Sequence, residues 1–384
     1  MEFALVGVGE TGSRIVDHVL AVEAETGRTF SHGNALVCEI SQTIPEDLEM
    51  VSDDQRFLIG DTHQAVTEHG IDGGPDLAVD VTRTDLPEIH RAFDSLPIHE
   101  CDGILVAAGL GSATGSGAGS VLVEELQATY DEPVYALGAL PAESEGGQAA
   151  VNASRALRSI VPAADSMLTF DRETWQPHAG SDERNDDAIR TLADRIVTLF
   201  AAGELDASTV AENAVDSSDI IRTLAPGGLA AIGHATTELE ANSDTILARL
   251  LTWLGVRDDS GTQTTDAAKV KSLVRQAANS RLTVPCDIAS AERALVVLSG
   301  PPHALSRRGF ESARQWLEQE TDTVEILAGD DPRNQSSTLE AVVLFSNVTD
   351  VPRIDALQQR AVDHQETTTN ERSEEAEEPN HYGT

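Results

Sequence analysis

Three apolar runs that each break into glycines restrict this chain to very few folds. FALVGV at residues 3–8 runs into GETGS, with Gly7, Gly9 and Gly12. GILVAA at 103–108 runs into GLGSATGSGAGS, from Gly109 to Ser120, and VYALGAL at 134–140 runs into PAESEGG. A short apolar run without alternation reads as a strand buried on both faces, and a glycine-rich turn into a helix-periodic segment reads as the junction of a parallel strand–helix unit. NALVCEI, RFLIG and SMLTF, with helices predicted near Arg14–Glu25, Leu86–Ser95, Ser120–Tyr130 and Gly147–Val161, carry the alternation as far as Phe170. The expected fold class is α/β, a Rossmann-like, mostly parallel sheet with helices on both faces.

At 384 residues the chain exceeds what one core usually holds, so a second domain is expected. DDAIRTLADRIVTLFAA, residues 186–202, repeats apolar residues at helical spacing and stops at Gly203; it reads as a long connecting helix. Beyond Gly227–Gly228 come LAAIGHATTEL, a helix near Ser243–Leu254, a polar gap VRDDSGTQTT and a helix near Ala267–Ala278. ERALVVLSG, a helix near Ser306–Gln319, TVEILAGDD and LEAVVLFSNV follow. This mixture lacks the glycine-rich turns and predicts an α+β domain. The expected division is an N-terminal domain at 1–185, a central helix with an acidic loop at 186–221, a C-terminal α+β domain at 222–364 and a disordered acidic tail at 365–384.

Charge restricts partners more than fold. The chain has 65 Asp and Glu against 26 Lys and Arg, a net charge of −39, and its lysines are Lys269 and Lys271 alone. A polyanion would be repelled over most of this surface, so nucleic acid is excluded as a partner. Such acidity suits a medium of very high salt, where self-repulsion is screened. The first residues, MEFALVGVG, lack a basic n-region and read as a buried strand, and no apolar run approaches 18 residues, so a soluble, cytoplasmic protein without membrane insertion is expected. Cys38, Cys101 and Cys286 are widely spaced in apolar contexts, which favours small core residues over a disulfide, metal or nucleophile; no metal-ligating cluster is evident.

Gly7-x-Gly9-x-x-Gly12 permits either a phosphate held on backbone amides at a helix N-terminus or a purely structural tight turn. Glu39, ending the next strand, stands where a dinucleotide fold grips a ribose, which keeps a nicotinamide-dependent oxidoreductase open. GLGSATGSGAGS has no lysine after its glycines and is not a Walker loop; a phosphate there would rely on amides, hydroxyls, the helix dipole and a metal. Two such loops in one sheet favour a triphosphate held between them over a supple corner. Glu145, beside Gly146 and Gly147, is either a ribose acceptor or a solvated acid. In AVDSSDII, Asp216 and Asp219 are either a helix cap or a carboxylate pair that polarises water.

These segments resemble the tubulin/FtsZ superfamily, and within it the archaeal CetZ proteins. GVGETGSR looks like the first phosphate loop, GLGSATGSG like the signature loop usually written GGGTGSG, LPAESEGG like the ribose-side loop and VDSSD like the loop of catalytic acids. The similarity continues through RLTVPCDIASAERALVVLSGPP and NVTDVPRI, covering about residues 1–360. It implies a GTPase domain that binds GTP or GDP with Mg²⁺. Gly9, Glu10, Thr11, Gly12 and Ser13, with Gly111, Ala113, Thr114, Gly115 and Ser116, surround the phosphates, and Glu145 meets the ribose. It implies head-to-tail filaments of this chain, alone or with other tubulin/FtsZ-like proteins, in which Asp216 and Asp219 act on the neighbour's nucleotide. A central helix of about 15 residues spans roughly 22 Å, which agrees with acids too distant for their own loops. The function it implies is cytoskeletal control of cell shape.

The chain departs from the family pattern at several site positions. Glu10 replaces Gln, Glu39 replaces Asn, Ser112 and Ala113 replace glycines, Arg172 replaces another polar residue, and Ile189 stands where an Asn reads guanine. If Ser112 or Ala113 needs a positive φ, the cost is roughly 1 kcal/mol or more. These changes allow, beside the GTPase, a non-catalytic filament-associated paralogue.

Overall fold

The computed structural model describes residues 1–41, 48–68, 70–71, 73–175, 182–202, 215–239, 259–321, 325–334 and 336–377; at 182–185, 259–266 and 371–377 it describes backbone alone. In chain order the elements are β1 (Phe3–Val8), α1 (Gly9–Thr26), β2 (Ala35–Glu39), β3 (Arg56–Leu58), a small hairpin of β4 (Val66–Thr67) and β5 (Gly70–Ile71), α2 (Pro75–Thr84), α3 (Leu86–Phe93), β6 (Gly103–Gly109), α4 (Ala113–Thr129), β7 (Val134–Leu140) and α5 (Gly146–Ala163). Then come β8 (Ser166–Asp171), α6 (Arg172–Trp175), α7 (Asp182–Phe200), α8 (Ser217–Leu224), β9 (Leu229–Glu238), α9 (Asp259–Ala278), β10 (Arg293–Gly300), α10 (Arg307–Glu320), β11 (Glu325–Pro332), β12 (Thr338–Val348) and α11 (Pro352–Glu377).

The main sheet has the order β11-β10-β12-β9-β8-β7-β6-β1-β2-β3. Strands β3, β2, β1, β6, β7 and β8 are parallel throughout. The C-terminal strands join through two residue pairs, Met167 with Leu229 and Leu168 with Ala230, and β12 is the antiparallel member. Alternate residues of β1 enter different cores: Ala4, Val6 and Val8 lie in one, Phe3 and Leu5 in the other. Both faces are therefore covered, which is why the strand sequence is apolar without a break.

Several elements differ from the sequence expectation. Helix α1 starts at Gly9 and α4 at Ala113, so the glycine segments form the first helical turns themselves. Helix α2 is not among the helices expected from the sequence; Pro75 at its first turn, behind Gly73–Gly74, marks its start, and Ala78 and Val81 are its buried apolar residues. Helix α9 begins at Asp259, within the stretch expected as a polar gap. The helix expected near Ser243–Leu254 and the stop at Gly203 fall outside the described residues. Helix α11 reaches Glu377, into the segment expected as a disordered tail. Glu, Arg and Ala in that segment are good helix formers, and they continue a helix already anchored by Ile354, Leu357 and Ala361.

Candidate functional site

Strands β7, β6 and β1 are neighbours in the sheet and parallel, so the glycine segments at their C-terminal ends meet at one edge. A Cβ on Gly9 would stand 3.5 Å from Gly115 N and from Thr114 Cβ; one on Gly109 would stand 2.7 Å from Thr11 Oγ1. One on Gly111 would lie 2.9 Å from Pro141 Cβ and 3.4 Å from Glu145 Oε2. The fold thus gathers Gly9, Thr11, Gly111, Thr114, Gly115 and Glu145. Gly9 takes φ +71°, which lets β1 turn straight into α1. Gly115 presses α4 onto the end of β6, where a Cβ would meet Gly109 O at 2.0 Å. Two helix N-termini consequently stand side by side, and their amides and dipoles favour an anion.

Ser112 and Ala113 carry no conformational strain. Ser112 has φ −86°, and the non-glycine residues with positive φ among those described are His32 and Asn347. The missing glycines are replaced by a helix cap: Ser112 Oγ accepts from Gly115 N at 3.0 Å, and Ser116 Oγ donates to Ser112 O at 2.5 Å. Ser13 is fully buried and donates to Glu39 Oε1 at 3.0 Å. Glu39 is 7% exposed; burial raises its pKa to about 7, against the lowering effect of the Ser13 hydrogen bond, with a further upward push from Glu10. Its carboxylate is turned onto Ser13, not outward as ribose recognition in a dinucleotide fold requires. Glu10 is exposed and pairs with Arg14 at 3.5 Å, while Arg14 also reaches Asp186 at 3.1 Å.

At the third loop, Glu145 Oε1 accepts from Ala142 N at 2.6 Å and pairs with Arg172 Nη1 at 3.0 Å. Arg172 thus brings a cation to this loop from the end of β8. Asn152 of α5, absent from the sequence expectations, donates to Gly111 O at 2.8 Å and is held by Gln148 at 2.9 Å. Its signal was a polar residue inside a run of small apolar residues, Ala149, Ala150, Val151 and Ala153, all of which are buried. Ile189 is 1% exposed and sits in the core with Ile15, Val16 and Leu192, so it presents nothing to a base.

Asp216 and Asp219 lie elsewhere. Helix α7 has Asp186 beside Arg14 and the glycine edge, and ends at Phe200, whose ring stacks on Phe30 at 5.4 Å and meets Phe3, the first residue of β1, at 5.2 Å. Those two helix positions are about 21 Å apart. Helix α8 leads into Gly228, whose carbonyl accepts from Met167 N at the start of β8. The acids therefore belong to the end of the molecule where β1 and β8 begin, and the glycine segments to the end where β1, β6 and β7 finish. Asp216 is exposed and Asp219 half-buried, and the two form a reciprocal cap: Asp216 Oδ1 accepts from Asp219 N at 3.2 Å and Ser218 Oγ at 2.5 Å, and Asp219 Oδ2 accepts from Asp216 N at 3.3 Å. The Ser218 hydrogen bond is the main cause that holds the Asp216 carboxyl below the usual carboxylate range.

Among the described residues no three His, Cys, Asp or Glu side chains group as metal ligands, and no helix is long and apolar enough to cross a membrane. Cys101 and Cys286 have thiol pKa values raised by burial to about 11 and about 12, and the fully buried Cys38 thiol is pushed up further, which suits core packing and not nucleophilic chemistry.

A parallel sheet whose adjacent strand ends carry paired glycine-rich helix starts, joined by a long helix to a mixed domain, defines the tubulin/FtsZ fold. Residues 2–179 match the Tubulin/FtsZ family GTPase domain, and residues 182–363 match the C-terminal domain of tubulin-like CetZ. Tubulin-like protein CetZ3 of Haloferax volcanii is 42% identical over 367 residues, spanning 95% of this chain and 92% of that protein; CetZ1 of the same organism is 39% identical over 375 residues, spanning 95% and 93%. The solved GDP-bound CetZ1 monomer has a TM-score of 0.81 at 35% identity, covering 95% of this chain and all of that one. A GTPγS-bound CetZ2 protofilament has 0.80 at 30%, covering 96% and all. The chain belongs to the tubulin-like CetZ family.

Proposed function

We propose that this chain binds GTP and GDP across its three loops and assembles head to tail into filaments in which each interface completes one hydrolytic site. The observation that carries this reading is the opposite placement of the glycine edge and the Asp216–Asp219 pair. One copy cannot close the site on itself, whereas stacking two copies in the same orientation brings the acids of one towards the loops of the next. A contact between two different faces repeats indefinitely unless it closes a ring, which yields a filament. The GDP-bound and GTPγS-bound CetZ relatives support a guanine nucleotide.

In this reading Gly9, Glu10, Thr11, Gly12, Ser13, Gly111, Ala113, Thr114, Gly115 and Ser116 line the phosphates, largely through main-chain amides, and Glu145 with Arg172 borders the ribose. Asp216 and Asp219 of the adjoining copy orient the attacking water, since phosphoryl transfer depends mainly on position and charge stabilisation. Mg²⁺ fits this site as a companion of the phosphates: it keeps several waters and needs few protein ligands, consistent with the lack of a carboxylate cage among the described residues. It would neutralise phosphate charge, and Glu10, the carboxylate of the first loop, would be a protein oxygen that could help hold it directly or through water. Control of cell shape is the cellular role proposed for such a filament.

A second reading, a filament-associated paralogue with weak or no turnover, is favoured by Ser112, whose hydroxyl already occupies the Gly115 amide. Titration calorimetry with GTP, GDP, ATP and NAD in multimolar KCl tests the first reading. It predicts binding of the guanine nucleotides; binding of NAD alone overturns it. If Asp219→Ala leaves filament behaviour unchanged in the presence of GTP, the paralogue reading holds instead.

A further inference from the structure

Helix α11 is fastened to the third loop from outside the glycine edge. Its apolar stripe, Ile354, Leu357 and Ala361, is buried in the same core as Ala150, Val151 and Leu157 of α5. At its start, Arg353 Nε donates to Asp171 Oδ1 at 2.8 Å, and Nη2 donates to Pro141 O at 2.7 Å. Asp171 is fully buried, ends β8 and immediately precedes Arg172; Pro141 opens the loop that carries Glu145. One guanidinium thus ties together the two strand ends that present the Glu145–Arg172 pair. Two turns on, Arg360 donates to Glu143 O in the middle of the same loop, and the His364 ring lies against Gly147, where a Cβ would be 2.5 Å from it.

The sequence contains two of these contacts as an Arg at i and an Arg at i+7, which places both on one face of a helix. A charged fork with two fixed acceptors in a buried setting holds geometry better than a lysine would, because the planar guanidinium makes both hydrogen bonds at once.

We propose that Arg353, supported by Arg360, is a positioning residue for the nucleotide's ribose side, and that α11 is thereby coupled to occupancy of the site. This rests on the reading that a guanine nucleotide occupies the three loops. Coupling of this kind is reciprocal: if a held loop favours the nucleotide, the nucleotide must in turn steady the helix that holds the loop.

Hydrogen exchange of the full chain in multimolar KCl, with and without GDP, tests this together with GDP affinity of Arg353→Gln and Arg360→Ala. The expected result is that GDP slows exchange in residues 9–13 and 109–116 and also in 352–364. In Arg360→Ala, whose lost contact is a single carbonyl, melting of the free protein is unchanged while GDP affinity falls by about fivefold or more, the lower end of ordinary coupling. Arg353→Gln is expected to lose more affinity and the slowed exchange of 352–364, with the slowed exchange at 109–116 retained. GDP protection of the glycine segments without any in 352–364, or wild-type GDP affinity in both variants, overturns the proposal and leaves the nucleotide reading standing. Absence of protection in the glycine segments overturns both. Should Arg353→Gln fail to fold, the affinity and melting of Arg360→Ala decide the matter.

Discussion

Ser13 Oγ donates to Glu39 Oε1 at 3.0 Å in a setting where Glu39 is 7% exposed. With its pKa raised to about 7 from an ordinary 4.5, Glu39 binds its proton more tightly in the folded chain than in the unfolded one. The neutral carboxyl's contribution to stability is therefore complete below pH 4.5 and is lost as pH rises through about 7. The full effect is on the order of 3 kcal/mol. Glu39→Gln should flatten the fall in stability between pH 5 and pH 8 and stabilise the protein at the upper end. Denaturant unfolding at both pH values measures it, and an unchanged slope would rule out a buried, titrating Glu39.

Ile189 is a core residue in the place where relatives are expected to read the base. Restoring the family residue by Ile189→Asn should lower stability by about 2–4 kcal/mol through a buried amide without partners, and should leave the preference for GTP over ATP unimproved. A gain in guanine selectivity with unchanged stability would mean that this side chain does reach the ligand.

The first turn of α4 is fitted to its neighbours at backbone distance. Gly115→Ala places a Cβ against Gly109 O and should cost about 2–3 kcal/mol, because the junction of β6 and α4 must shift. Ser112→Ala removes only a cap and should cost about 1 kcal/mol. Denaturant midpoints for the two variants rank them; a reversed order would contradict the packing described for this edge.

A net charge of −39 on 384 residues should make stability depend steeply on salt. The melting temperature is expected to rise by about 10 °C or more between 0.2 M and 3 M KCl as self-repulsion is screened. A flat response would show that the acidic surface is compensated locally.

The N-terminal sheet was legible because strands buried on both faces leave an unbroken apolar signature, as in FALVGV and GILVAA. The three loops were legible because glycine is needed at specific backbone approaches, such as Gly115 on Gly109 O. What sequence could not give was which partners satisfy the polar groups between loops. Ser13 with Glu39, Asn152 with Gly111 and Arg353 with Pro141 are separated by 26, 41 and 212 positions, and no local period encodes them. Helix starts were placed late for a related reason: glycine and serine have weak helix propensity, and a cap or a positive φ overrides it. Asp216 and Asp219 form the helix cap that their three-residue spacing allows, with Asp216 exposed and Asp219 half-buried.

Mixing two disabled chains tests the shared site most directly. Ser112→Asp keeps a good cap but sets a carboxylate among the phosphate-facing amides, so it should abolish GTP binding. Asp219→Ala should bind GTP and fail to hydrolyse it. Neither chain alone should turn over, whereas an equimolar mixture at polymerising concentration should recover about a quarter of wild-type GTP hydrolysis, since random head-to-tail stacking pairs intact loops with intact acids at about one interface in four. No recovery in the mixture, or wild-type turnover per chain that stays constant on dilution below polymer formation, would contradict a site built from two copies.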